Sequence, residues 1–378
     1  MSPLRPRLSV RWPGLLALAF LGGCQVAGAK LWNLEQVHDP DGSPKRRGRI
    51  ENDLEWLLTG MLERSNFGGE DYQVEQAKEK RIDDPQGVCL ENLIELGECR
   101  ADERVAAQQA AAYSWLGVEC TYVLSRERCV LELAPLAKRL GGVADVALPA
   151  EGATVATPEE VKKLYDDLLN AVVASEKEPE LAAAQLAEVC QRIDATALDR
   201  PGALRLVRAT LKLLDRRENR AALRPVSKLR LSLAKRCVAL TLVEARSDKE
   251  GMVRAAALQA GLHAFPDQRA ELLRWALVEP MDGVAEREAV SLRALEFLER
   301  YGLPPAPAGE DAEGFEDKWI ELLCQVLQAT DDGPHTVATC KALARITGEP
   351  VNLRPEAWLV WWEREKGAAV EPSTGGEP

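Results

Sequence analysis

From residue 50 onward the chain repeats apolar positions at helical spacing, interrupted by short stretches of Pro, Gly, Asp and Ser. In the first such run Leu54, Leu57, Leu58 and Met61 fall on one helical face. Runs that alternate apolar and polar residues with a period of two, as strands do, are almost absent. The pattern predicts helices over Ile50–Arg64, Val88–Leu96, Asp102–Gly117, Tyr122–Leu140, Glu159–Ser175, Pro179–Ile193, Pro201–Arg217, Pro225–Ala245, Lys249–Ala264, Pro266–Val278, Val284–Tyr301, Phe315–Ala329, Pro334–Thr347 and Pro355–Lys366. Several open on Pro or on an Asp, Ser or Thr cap, as Thr157 before Pro158-Glu159-Glu160 does. Only Val118–Thr121 separates the third and fourth, so those two must pack antiparallel.

The breaks divide the chain. Gly141-Gly142, Pro149 and Gly152 mark residues 141–158 as a linker between an N-terminal helical block (49–140) and a central one (159–302). Leu303-Pro304-Pro305-Ala306-Pro307 opens a Pro-rich linker (303–314) before a C-terminal segment (315–366), and 367–378 reads as a disordered tail.

Composition agrees with an all-α chain. Hydrophobic residues make up 46% and aromatics only 5%, with Ala, Leu, Glu, Arg and Lys, the strong helix formers, prominent. The formal charge is −12. Such a surface argues against nucleic acid as a partner, because phosphate binding needs clustered cations.

The first 24 residues stand apart. Arg5, Arg7 and Arg11, with no acid, precede the apolar run Leu15–Leu21, and Leu21-Gly22-Gly23-Cys24 closes it. This is the layout of an export signal, and the apolar stretch is too short to span a bilayer. The last four residues resemble the bacterial lipobox. The resemblance implies cleavage after residue 23, acylation of Cys24 and a periplasm-facing protein held to a membrane of the cell envelope by lipid. Cleavage removes three Arg and takes the formal charge to −15. Several acyl chains anchor stably where one does not. Gln25, in place of the Asp that retains lipoproteins at the inner membrane, favours the outer one. Residues 24–48, with Asp39-Pro40-Asp41-Gly42-Ser43-Pro44 and Lys45-Arg46-Arg47, read as a tether.

Three stretches look alike. Asp102-Glu103-Arg104-Val105 leads to Ala110-Ala111-Ala112 and Leu116-Gly117. Asp248 and Val253-Arg254 lead to Ala255-Ala256-Ala257-Leu258 and Gly261. Pro334-His335-Thr336-Val337 leads to Cys340, Ala342-Leu343 and Gly348. Each has a polar start, a Val, small residues one or two turns on, then a bulky residue and Gly. The pattern resembles HEAT-like repeats. It implies an α-solenoid of antiparallel helix pairs in which small residues admit close neighbours, Asp caps the helix and Gly ends it. The run Ala342–Pro350, followed by Pro355-Glu356-Ala357-Trp358-Leu359-Val360-Trp361-Trp362, resembles the closing segment of bacterial HEAT-repeat proteins of planctomycete type, with a Trp-rich capping helix. Trp358, Trp361 and Trp362 share a helix face and read as core. The resemblance carries no functional residues.

Beside Cys24 there are eight cysteines. Disulfides among Cys89, Cys99, Cys120 and Cys129 are plausible in an oxidising compartment, with the pairing open. Cys190, Cys237, Cys324 and Cys340 sit in apolar helix faces and read as buried thiols. No C-x-x-C pair occurs, and the three histidines, His38, His263 and His335, stand in no metal-ligand or catalytic motif. We therefore expect no catalytic residues, cofactor or metal. The acidic run Glu310, Asp311, Glu313, Glu316 and Asp317 reads as a solvated loop and helix start. One segment, 205–236, is strongly basic. Its Arg216, Arg217, Arg220 and Arg224, at the junction of two helices, are candidates to dock an anionic partner. Three readings stay open. The first is a lipid-anchored scaffold that binds other proteins. The second is a periplasmic enzyme or enzyme subunit with a carboxylate site, and the third is a structural protein holding anionic lipid or cell-wall polymer through 205–236.

Overall fold

The computed structural model describes residues 94, 103–120, 123–150, 152–177, 179–214, 223–278, 288–330 and 333–370. The chain forms two compact units, Met1–Cys99 and Arg100–Pro378. All the helices below belong to the second. Cys24, the tether, the helix expected at Ile50–Arg64, all but Ile94 of the one expected at Val88–Leu96, Cys89, Cys99, Arg216, Arg217, Arg220 and the end of the tail lie outside the described residues.

Every regular element among the described residues is helical. The helices are α1 (Glu103–Glu119), α2 (Val123–Arg139), α3 (Pro158–Lys177), α4 (Pro179–Ala195), α5 (Arg200–Leu214), α6 (Arg224–Ala245), α7 (Gly251–Ala264), α8 (Arg269–Val278), α9 (Glu288–Tyr301), α10 (Ala312–Ala329), α11 (Gly333–Thr347) and α12 (Pro355–Val370). A single 3₁₀ turn, Pro266–Gln268, leads into α8.

Local chemistry sets several of the ends. Thr157 and Glu160 form a reciprocal capping box at α3. The Thr157 N–H donates to Glu160 Oε2 at 2.8 Å, and Glu160 N–H donates to Thr157 Oγ1 at 3.2 Å. Asp199 caps α5 by accepting from Gly202 N–H at 2.7 Å, and Asp311 caps α10 by accepting from Gly314 N–H at 2.9 Å. The expected start of α10 at Phe315 therefore moves back one turn, to Ala312. At the other end of the chain α12 continues to Val370, beyond the expected stop at Lys366.

The three look-alike stretches use their glycines differently. Gly348, at φ +73°, ends α11 as the pattern implied. Gly117 and Gly261 lie inside α1 and α7. A Cβ on Gly117 would sit 3.3 Å from Val130 Cγ2 and 3.5 Å from Thr241 Cγ2, so this glycine brings α1, α2 and α6 together. Asp248 also departs from the pattern. It stands ahead of α7 and accepts from Glu250 N–H at 2.9 Å, while Glu250 is the N-cap.

Packing order differs from chain order. α3 packs on α4, and α6 lies between α4, α5 and α1. The hairpin α1–α2 then packs its second helix along α7, which meets α9; α9 meets α11, and α10 and α12 complete the end. The N-terminal hairpin thus sits between the α5–α6 pair and α7. Residues 140–157 connect α2 to α3.

The small residues explain how the hairpin fits. Ala106, Ala107, Ala110, Ala111 and Ala112 of α1 and Ala255, Ala256, Ala257 and Ala260 of α7 are all buried. A helix apolar on nearly all sides belongs in an interior, and Ala keeps the axes close. Larger side chains fill what remains: Leu133 and Leu136 from α2, Leu233 from α6 and Leu258 from α7 are fully buried. Each contributes roughly 1.5–3 kcal/mol on burial.

The far end is an aromatic cap. Trp319 of α10 and Trp358 and Trp362 of α12 are buried in one cluster with Phe315, Leu323 and Leu343. Trp358 Nε1 donates to the Asn352 carbonyl at 2.6 Å. Trp361 is partly buried and meets Trp358 edge-on, with ring centroids 5.8 Å apart. The expected Trp stripe is core, while Val360 on the opposite face of α12 is exposed.

Candidate functional site

The basic segment 205–236 divides when its side chains are placed. Arg230 is buried. Lys235 lies 3.7 Å from Asp145. Arg236 donates to the Thr196 carbonyl at 2.9 Å and also to the carbonyl of Asp194. Lys235 and Arg236 thus bind loops of the protein itself. Arg205, Lys212, Lys228 and the candidate Arg224 are exposed.

Two buried arginines act as clamps on the hairpin. Arg200, 4% exposed, opens α5 and donates from Nη1 to the Ser114 carbonyl at 2.9 Å. It also donates from Nη2 to Glu119 at 2.7 Å and from Nε to Glu244 at 2.6 Å. Burial opposes its charge, but the hydrogen bonds and charges of Glu244 and Glu119 outweigh that and hold its pKa above the ordinary value. Arg126 of α2 reaches the Cys120 carbonyl at 3.3 Å and Asp248 at 3.4 Å. Between these, Thr241 Oγ1 and Ser114 Oγ lie 2.9 Å apart beneath α1. Cys237 lies in the same buried region, and burial pushes its thiol up to about 12. A thiol so placed is an inert core residue. Cys190 and Cys324 are likewise buried free thiols, raised by burial to about 12 and about 11. Cys340 is a fourth buried free thiol, and Cys120 and Cys129 are buried.

Sequence reasoning missed one pair with catalytic chemistry. Ser291 of α9 and His335 of α11 share a hydrogen bond of 2.9 Å. They are 44 residues apart on different helices, and no local motif joins them. A nucleophilic serine must meet substrate, and both side chains are buried. The bond serves as an interhelical tie.

An open cleft of about 400 Å³ lies between α3, the end of α4 and residues 154–156. Glu160, Lys163, Asp167 and Arg192 line it. Three of these are already committed. Glu160 belongs to the capping box, and Asp167 pairs with Arg192. Among the described residues no group of three His, Cys, Asp or Glu side chains is placed to hold a metal ion. No described helix is long and apolar enough to cross a membrane.

A different patch faces outward with few internal commitments. The last turns of α7 and α9 end side by side and present His263, Phe297, Arg300 and Tyr301. Phe297 and Tyr301 have ring centroids 4.7 Å apart, and His263 stands edge-on to each at 6.4 Å. Tyr301 is 50% exposed. The Arg300 guanidinium lies 5.3 Å from the centroid of the Tyr301 ring. Arg269, at the start of α8, donates its Nε to the Leu262 carbonyl at 2.7 Å. Partial burial, then Arg269 and Arg300, lower the pKa of His263 below the ordinary value. The ring is therefore neutral at neutral pH in a locally positive field. A half-buried Phe beside exposed Tyr, His and Arg is a grouping that binding surfaces use. Nothing in the sequence flagged this group, because His263 comes from α7 and the other three from α9.

No protein-family model matches this chain, and comparison with curated proteins and with solved structures finds no similar protein.

Proposed function

We propose that this protein is a lipid-anchored scaffold of the cell envelope, held by acylated Cys24 and binding another protein through its helical surface without turnover. Cys24 and its lipobox supply the anchor, which confines the search for a partner to a membrane surface. On this reading the helices stack as a solenoid of hairpins of HEAT-like type. The row runs α3–α4, α5–α6, α1–α2, α7–α8 and then α9 to α12, closed by the tryptophan helix. The observation that carries the reading is the contrast between inside and outside. The buried arginines and the Ser291–His335 pair are spent on holding helices together, whereas the aromatic and cationic group at the ends of α7 and α9 is left open.

The enzyme reading has one specific support, the cleft with Glu160 and Asp167 on α3. A carboxylate pair doing acid–base work must be free to exchange protons with substrate, and both of these side chains already have partners within the protein. The polymer-binding reading rests on 205–236, where Arg230, Lys235 and Arg236 point inward or pair.

The test is crosslinking followed by pull-down from membranes, with labelled-palmitate incorporation measured in parallel, for wild type, Cys24→Ser and Tyr301→Ala. We expect label on wild type only where Cys24 is intact, one defined partner with wild type, and loss of that partner with Tyr301→Ala. No label on wild type would overturn the anchor. Label without any partner would overturn the scaffold and shift weight to the cleft.

A further inference from the structure

We infer that the patch formed by His263, Phe297, Arg300 and Tyr301 binds an acidic segment of a partner polypeptide, with a carboxylate against Arg300 and Arg269 and an apolar side chain on the Phe297–Tyr301 face. This rests on the scaffold reading and names the chemistry of its partner.

The electrostatics lead to it. The chain carries an excess of twelve negative charges, yet two cations here stand without an acidic partner among the described residues. Two acids on the same helix are engaged elsewhere. Glu296 pairs with Arg293 at 2.8 Å and Glu299 with Lys341 at 3.0 Å. Among the described residues neither Arg269 nor Arg300 has a carboxylate in ion-pair range. Arg269 spends only its Nε on a carbonyl, and Arg300 meets only the face of Tyr301. A guanidinium stacked on a ring still presents its edge N–H groups, which suit a carboxylate in two-point contact. Burial first, and then both guanidiniums, oppose a positive charge on the His263 ring.

Shape leads to the peptide. Phe297 and Tyr301 form a tilted pair with one ring half exposed, and His263 walls it edge-on. Such a face gains from covering an apolar side chain, whereas a bare polyanion would use only the charges. Tyr301 and Arg300 also occupy the end of a helix, where Gly302 (φ +76°) turns the chain away into the Pro304-Pro305 loop. Both side chains are exposed, so substituting them leaves the fold intact.

The experiment measures fluorescence anisotropy with the full chain. The probe is a fluorescein-labelled nonapeptide of Glu and Asp flanking one Leu and one Phe. Its Gln/Asn counterpart and polyglutamate serve as comparisons. Wild type is expected to bind the acidic probe and to shift the His263 ring resonance in the NMR spectrum. Arg300→Glu and Tyr301→Ala should each weaken binding by about tenfold or more, and Lys249→Glu, an exposed charge elsewhere, by less than about twofold. The inference is overturned if wild type does not bind the probe, if the Gln/Asn peptide binds as well, if polyglutamate binds as tightly, or if Lys249→Glu matches Arg300→Glu. A partner captured by crosslinking that still binds Arg300→Glu would sink this inference and leave the scaffold reading standing. Absence of any captured partner would remove the scaffold reading itself.

Discussion

Replacing Arg200 tests whether the N-terminal hairpin is locked into its slot by buried charge. Arg200→Met keeps most of the buried stem and removes every donor. The substitution breaks the bonds to Ser114, Glu119 and Glu244 together. Breaking a fully buried ion pair from one side costs about 3–5 kcal/mol. Here the arginine is buried, but Glu119 and Glu244 are 39% and 45% exposed and rehydrate once released. That discounts the loss to about 2 kcal/mol. Arg200→Ala adds a cavity where the stem was and should reach about 3–4 kcal/mol. The assay is urea unfolding followed by circular dichroism, where the midpoint should fall with little change in slope. Glu244→Gln alone should cost about 0.5–1 kcal/mol. Combined with Arg200→Met it should add almost nothing, because the partner is already gone. If Arg200→Met lies within about 0.5 kcal/mol of wild type, or if the two changes add fully, the clamp is an incidental contact and the reasoning fails.

Three further predictions can be checked on the same protein. In Gly202→Ala the new Cβ meets Asp199 Oδ1 at 2.8 Å and Val161 Cγ2 at 3.2 Å; the cap is displaced, so unfolding measurements should show a loss of about 1–2 kcal/mol where an open helical site would gain. His263 should titrate below 6.5 by NMR. Folding lowers this pKa, so its contribution is present above pH 6.5 and lost as pH falls through the folded value; His263→Gln should flatten stability across that window, and an unchanged profile would refute it. Finally, a chain beginning at residue 141 lacks the hairpin between α6 and α7 and should fail to unfold cooperatively; a sharp transition with helices retained would show that the remaining pairs stand alone.

Much of the helical layout was legible because it depends on local chemistry. Thr157, Pro158 and the periodicity of Val161, Leu164 and Leu168 mark α3 without tertiary information. The burial of Trp358 and Trp362 follows from their spacing. Other features depend on what meets what. Gly117 and Gly348 occupy equivalent places in two look-alike stretches, yet one admits α2 and α6 while the other turns the chain left-handed. Only the partner decides. Lys235 and Arg236 read as a cationic surface in sequence because Asp145 and Asp194, which pair with them, lie some 90 and 40 residues away. The Ser291–His335 pair and the meeting of His263 with Phe297 and Tyr301 were invisible for the same reason, since each joins side chains of two helices.

The order of packing bears on function more than the number of helices. In a solenoid whose repeats follow chain order, each pair contacts its sequence neighbours and an end can fray without disturbing the middle. Here the first hairpin among the described residues lies between α5–α6 and α7, and its contacts reach α5, α6 and α7. Arg200 and Arg126 bond it to residues up to 122 positions away. The two sides of the row therefore depend on one insertion, and fraying at the middle requires breaking buried charge as well as apolar contact. That rigidity has a direct consequence for α7. It packs along both α2 and α9, so the relative position of His263 and Tyr301 depends on a helix that the hairpin also holds. A binding surface built from the ends of two helices is only as well formed as the packing between them. The clamp at Arg200 and the open patch at Tyr301 are thus linked through α7: loosening the first should blur the second.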